Sequence, residues 1–226
     1  MLTWAPVRPI FQNEKIETRA LPVLPRQPMT IRAWLVDLDG TLYFDLLVRA
    51  AMIPRLALAG RQTTMVVRTF RKVHVDLRRT LRAAVENAYD LQLERTAALL
   101  SLDRPVVDAI VEEWMIQRPG RWLYRFRRTQ LLREIAAFRS VGGLTAIVSD
   151  YPASVKLQAL RARDAFDVVV ANGEANRPGR LKPWPDGYLL AARMLGVEPA
   201  ECLVIGDKPK LDGEAARGAG MSFRRV

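Results

Sequence analysis

Apolar positions along this chain follow two patterns. Short continuous runs at Ile31 to Val36, Leu144 to Val148, Asp167 to Val170 and Cys202 to Ile205, with a weaker one at Met221 to Val226, read as buried strands. Helical spacing over Gln130 to Arg139, Pro152 to Arg163, Asp186 to Leu195 and Leu211 to Ala219 separates the later runs. Each of these stretches has the length of a crossover between parallel strands, so the alternation predicts an α/β fold with a parallel, doubly wound sheet. The interval from Phe44 to about Phe126 breaks this rhythm, because it holds no strand pattern and is too long for one crossover. Within it Val66, Phe70, Val73, Leu77 and Leu81 recur at helical spacing among Arg68, Arg71, Lys72, Arg78, Arg79 and Arg82. Asp103 is placed to cap a helix with Pro105 in its first turn, and Pro119-Gly120 to close it. The predicted organisation is a proline-rich arm over residues 1–30, a core made of 31–44 and 127–226, and an all-helical insertion over 45–126.

Composition narrows the chemistry. A single cysteine, Cys202, excludes an internal disulfide framework, and a single histidine, His74, excludes mechanisms built on clustered imidazoles. Cys202 is expected to be a buried apolar residue of a core strand, and His74 an exposed or partly packed helix residue. No apolar run approaches the ~18 residues of a membrane span. The first thirty residues also lack the apolar block of a secretory signal, so a cytoplasmic location without membrane attachment is expected. The net charge of +11 is concentrated: Arg49 to Arg82 holds nine basic residues against one acid. Such a field steers anionic ligands, although most of these charges read as a solvated helical face.

The candidate chemistry lies where the predicted strands end. Ala33-Trp34-Leu35-Val36 runs into Asp37-Leu38-Asp39-Gly40-Thr41, two carboxylates at the carboxyl end of a buried strand, where open α/β sheets place their ligands. Desolvated carboxylates need a compensating cation, a proton or several donors. With no histidine or cysteine cluster, a metal here must be held by oxygen, which suits magnesium. Leu144 to Val148 leads into Ser149-Asp150, where a hydroxyl and free backbone N–H groups at a helix start suit a phosphate. Lys182-Pro183-Trp184-Pro185 holds a lysine in a fixed loop, and Cys202 to Ile205 ends in Gly206-Asp207 with Asp212 following. Asp207 can complete an acidic metal site opposite Asp37, and Asp212 can orient the lysine.

In this order, Asp37-Leu38-Asp39-Gly40-Thr41, Ile147-Val148-Ser149, Lys182-Pro183-x-Pro185 and Gly206-Asp207 with Asp212 resemble the haloacid dehalogenase superfamily of aspartate-nucleophile phosphohydrolases. The resemblance covers about residues 31–44 and 130–223 and implies a Rossmann-like sheet with a helical cap inserted after the first strand. It implies Asp37 as nucleophile and Asp39 as general acid and base. It further implies Mg2+ held by the Asp37 carboxylate, the Asp39 carbonyl and the Asp207 carboxylate, Ser149 and Lys182 on the transferring phosphoryl group, Gly40 and Thr41 shaping the loop, and Asp212 in support. A carboxyl at Asp39 favours phosphate esters over organohalides, since a halide leaves without a proton. Asp150, beside Ser149, departs from the residues common there and brings a negative charge near the phosphate site. The expected function is a Mg-dependent phosphatase acting on a small phosphorylated metabolite through an aspartyl phosphate. A phosphotransferase or mutase of the same family is the alternative, as is a non-catalytic scaffold that binds nucleic acid or another polyanion through the basic insertion. Arg49, Arg55, Arg61 and Arg68 are candidates for a second anionic group of the substrate.

Overall fold

In the computed structural model, residues 30–226 are described, and the proline-rich arm predicted for residues 1–30 lies outside them but for its last residue. Five strands, β1 (Ala33–Asp37), β2 (Leu144–Ser149), β3 (Val168–Ala171), β4 (Cys202–Gly206) and β5 (Ser222–Arg225), form one sheet in the order β3-β2-β1-β4-β5. Every pairing is parallel. The central strand, β1, is covered on both faces, which is why it reads as a continuous apolar run rather than an alternating one. Its side chains alternate between two cores. Val36 joins Ile147, Ile205 and Leu157 on one face, while Leu35 joins Val148, Val204 and Tyr188 on the other. Cys202 is fully buried in the second core.

Between β1 and β2 the chain forms α1 (Asp45–Leu58), α2 (Arg61–Thr80), α3 (Ala88–Leu100), α4 (Arg104–Val111), α5 (Gly120–Arg125) and α6 (Thr129–Ser140). The stripe seen in the sequence is the inner face of α2: Val66 and Phe70 pack with Leu93, Val107 and Val111 in a cluster separate from the two sheet cores. Val48 of α1 and Leu123 of α5 instead join the sheet core of Val36 and Ile147. The helix expected to run through Trp114 to Pro119-Gly120 is different. It leaves α-helical geometry after Val111, continues as a π-helical stretch over Glu112–Gln117, and Gly120 then begins α5. Asp103 precedes α4 at the capping position, but its side chain accepts no capping hydrogen bond.

After β2 come α7 (Ser154–Leu160), α8 (Asp186–Leu195) and α9 (Glu214–Gly218). The helix predicted from Leu211 is split into a π-helical turn, Pro209–Gly213, and α9. Asp37, Ser149 and Gly206 close β1, β2 and β4, so the three candidate segments leave the sheet at the same edge. Among the described residues, no helix is long and apolar enough to cross a membrane.

Candidate active site

The register aligns Asp37 with Val148, one residue before Ser149, and Val36 with Ile205, one residue before Gly206. Three loops therefore leave adjacent strands side by side, and four distant segments meet above them. Asp37, Asp207 and Asp212 each present a carboxylate oxygen, and these oxygens lie within 4.8 Å of one another. Close packing of the backbone makes this possible. Gly40 has φ of 98°, and a side chain there would run into the Asp207 carboxylate, while one at Gly206 would collide with Asp212.

Lys182 ties the cluster together. Its buried ammonium donates to Asp37 Oδ1, to Asp212 Oδ1 at 2.8 Å and to the Val148 carbonyl at 2.9 Å. Asp212 also accepts from the Tyr188 hydroxyl at 2.9 Å and from the Lys208 backbone N–H at 3.2 Å. It is thus held from three sides as the anchor of Lys182. Thr41, expected to shape the loop around Asp39, donates its hydroxyl to Asp37 Oδ2 at 2.8 Å. Burial pushes the Asp37 carboxyl up to about 7 against the pull of Lys182, with the Asp212 charge adding to the rise. Burial works against the Lys182 ammonium, but Asp212 and Asp37 override it and hold its pKa well above the ordinary value.

The donor set fits a hard cation. It consists of carboxylates and a carbonyl, and two of those oxygens already attract a positive charge: Lys208 Nζ lies 3.1 Å from Asp207 Oδ1 and 3.3 Å from the Asp39 carbonyl. Asp37 retains a raised pKa despite the pull of Lys182 and Lys208, so a further cation would relieve its burial rather than compete for a satisfied group.

Asp39 points elsewhere. Both of its oxygens accept from Lys156 Nζ, at 2.7 and 2.8 Å, and Oδ1 also accepts from the Tyr43 hydroxyl. Burial disfavours its ionised form, yet Lys156 outweighs that and leaves the pKa lowered. Lys156 is itself buried, and no sequence motif singles it out. The signal it left is positional: it lies on the inward stripe of α7 with Ala153, Leu157 and Leu160, where a lysine requires a partner.

Ser149 is buried, and its Oγ accepts from the Tyr151 N–H at 3.1 Å. The helix start beyond it is not free to hold an anion, because the Glu174 carboxylate already accepts from the N–H groups of Ala153 and Ser154, at 2.6 and 2.7 Å. Asp150 likewise spends its carboxylate within the protein. Oδ2 accepts from Arg78 Nη2 of α2 at 2.7 Å, and Oδ1 accepts from the Lys182 N–H at 3.2 Å. Burial opposes its charge, but Arg78 and His74 hold its pKa far below the usual carboxylate range. His74 is neither exposed nor partly packed. It is 3% exposed, stacks on Tyr151 at 4.4 Å and has Nδ1 3.0 Å from Gln92 Oε1. Asp150 thus links α2 to the loop carrying Lys182.

A cavity of about 470 Å3 opens above Asp37, Asp39, Ser149 and Lys156, within the range of small-molecule sites. Of the four arginines suggested by the sequence, Arg49 lines it and Arg55, Arg61 and Arg68 do not, whereas Arg71 and Arg78 do.

Comparison with known proteins agrees with this architecture. Over 69 residues, 30% of this chain and 35% of the other, the chain is 42% identical to fructose-1-phosphate phosphatase YqaB of Escherichia coli. It is 52% identical over 44 residues to hexitol phosphatase A of the same organism, 19% of this chain and 20% of that one. The matched segments thus span about a third or less of these curated relatives. The crystal structure of the HAD-hydrolase YfnB from Bacillus subtilis superposes with a TM-score of 0.61 at 14% identity, covering 87% of this chain and 89% of that one. The haloacid dehalogenase-like hydrolase model matches residues 31–220, and the chain belongs to that family.

Proposed function

We propose that this chain is a magnesium-dependent phosphatase that hydrolyses a phosphate monoester through an aspartyl phosphate, with residues 45–126 serving as a cap over the site. One observation carries this reading: a nucleophile candidate, Asp37, ends the central strand within 4.8 Å of two further carboxylates and in contact with a buried lysine. The relatives named as phosphatases support it. In this reading Asp37 Oδ2, steered by Thr41, or its companion oxygen attacks phosphorus. Lys182, fixed by Asp212 and Tyr188, and the Ser149 hydroxyl hold the phosphoryl oxygens in line with the leaving group. In the resting site Lys156 keeps Asp39 ionised; where a bound substrate draws Lys156 away, burial raises the carboxyl pKa again, so that Asp39 can give a proton to the leaving oxygen and later take one from water. The Asp37 and Asp207 carboxylates and the Asp39 carbonyl would hold Mg2+, which when bound supplies positive charge against the phosphate. Phosphate release from p-nitrophenyl phosphate that requires added Mg2+ tests the reading. Turnover unchanged by complete chelation would refute the metal assignment.

The state of Asp37 sets a pH dependence. Its carboxyl is pushed up to about 7, so a cation taking that carboxylate displaces a proton below this pH. The apparent Mg2+ affinity is therefore expected to rise with pH, by up to about tenfold per unit, and to level off above about pH 7. Calorimetric titration at several pH values measures this, and a flat profile would contradict it.

Lys156 acts on Asp39 rather than on substrate in this account. Lys156→Met should lower kcat by about 10- to 100-fold with KM changed little, because the proton-transfer group loses its orientation. Lys156→Arg should recover part of it. The loss should be larger for an alkyl phosphate, whose leaving group needs the proton, than for p-nitrophenyl phosphate. An equal loss for both, accompanied by a lower melting temperature, would indicate a role in folding only.

A further inference from the structure

Beyond its charged floor the cavity changes character. Met52, Ile53 and Leu56 of α1, Val67 of α2, and Trp114 and Met115 of the π-helical stretch form its far wall. Ile53 is 64% exposed while lining the cavity, so the apolar lining continues to the rim. The neutral hydrogen-bonding side chains of the lining are Ser149, His74 and the aromatic Tyr43, Tyr151 and Trp114. Among the lining residues there is no asparagine, glutamine or threonine, and Ser149 is the single aliphatic hydroxyl. The Tyr43 hydroxyl is engaged by Asp39, Arg78 by Asp150 and Arg49 by Asp45 at 2.7 Å, His74 lies against Asp150 and Gln92, and among the described residues Arg71 is left as a cation without an ion pair. Arg71 and the Tyr151 hydroxyl can meet some hydroxyls of a polyol, but those placed against Met52, Ile53, Leu56, Val67 and Met115 would exchange water for methyl and thioether groups. Polar groups buried without partners are disfavoured, whereas each buried methylene improves binding about fourfold.

We propose that this cavity selects phosphate monoesters whose alcohol is an apolar chain or ring, and discriminates against sugar and polyol phosphates. The proposal rests on the phosphatase reading for its phosphate end and on the far wall for its selectivity. It sets this chain apart from the relatives whose names specify fructose 1-phosphate and hexitol phosphates.

Non-hydrolysable phosphonates separate selectivity from turnover. Calorimetry on the full chain with Mg2+ should show n-hexyl phosphonate binding at least ~30-fold more tightly than the phosphonate of a six-carbon polyol, with about two- to fourfold lost per methylene on shortening to butyl and ethyl. Leu56→Asn and Val67→Thr should each shrink the hexyl-to-polyol ratio severalfold. Because a ratio within one protein is read, modest loss of stability does not imitate the effect. Equal or tighter binding of the polyol, or no dependence on chain length, would overturn the proposal. Phosphate release from p-nitrophenyl phosphate is measured in parallel. Its absence alongside the expected phosphonate preference would defeat the hydrolase reading and leave the selectivity standing.

Discussion

Asp37→Asn is expected to reduce phosphate release from any ester by at least ~10^4-fold, while the protein stays folded. Loss of a nucleophile removes the covalent route altogether, and effects of this size follow when one member of a concerted catalytic unit is deleted. The folded state should tolerate the change, because the carboxyl that is lost already strains against its burial, with a pKa pushed up to about 7. An amide of the same shape can accept from Lys182 through its oxygen and donate to the Thr41 hydroxyl through its nitrogen. Asp39→Asn should also be strongly impaired, but through protonation of the leaving group. Its deficit should narrow as the leaving alcohol becomes more acidic, whereas the Asp37→Asn deficit should not. Stopped assays on an aryl and an alkyl phosphate distinguish the two variants.

Lys182→Met has the largest expected effect on stability. The lysine is 5% exposed and is the buried cation between Asp37 and Asp212. Removing one partner of a buried charge cluster costs about 3–5 kcal/mol. For a chain of this size that is a fall in melting temperature of roughly 6–20 °C. Asp212→Asn in the Lys182→Met background should recover part of the loss by removing an uncompensated carboxylate. Lys208→Met is the control, because its side chain is 43% exposed and its pairing with Asp207 is worth less than about 1 kcal/mol. Thermal unfolding of the three variants checks the ranking. A Lys182→Met protein as stable as wild type would mean that the cluster is already neutral without the lysine.

The strands and the acidic cluster were legible in the sequence for one reason. A strand buried on both faces reads as an unbroken apolar run, and β1 and β2 end in Asp37 and Ser149 while Asp207 directly follows β4, all at one edge of a parallel sheet. Position along the sheet then fixes proximity without knowledge of any side chain. Where partners come from unrelated elements, no such rule applies. Lys156 meets Asp39 across 117 residues, and Arg78 meets Asp150 across 72. His74 departs from the expected exposed or partly packed position because the stripe of Val66, Phe70, Val73, Leu77 and Leu81 marks only its apolar members, and the imidazole is buried among them. The Ser149 loop illustrates a different failure. A helix start reads as an anion site only while its N–H groups are free, and Glu174 arrives from beyond β3 to take them. The π-helical turns at Glu112–Gln117 and Pro209–Gly213 preserve the apolar spacing of an α-helix closely enough that periodicity does not reveal them.

The central claim is covalent: the phosphoryl group passes through Asp37. Rapid quenching of the enzyme during turnover of p-nitrophenyl phosphate, followed by mass spectrometry of its peptides, tests it most directly. The account predicts a phosphoryl increment on the peptide containing Asp37, labile to hydroxylamine and absent from Asp37→Asn. Inversion of configuration at phosphorus when an isotopically chiral phosphorothioate ester is hydrolysed in heavy-oxygen water, with no increment trapped on the Asp37 peptide, would contradict it, because two successive in-line displacements retain configuration.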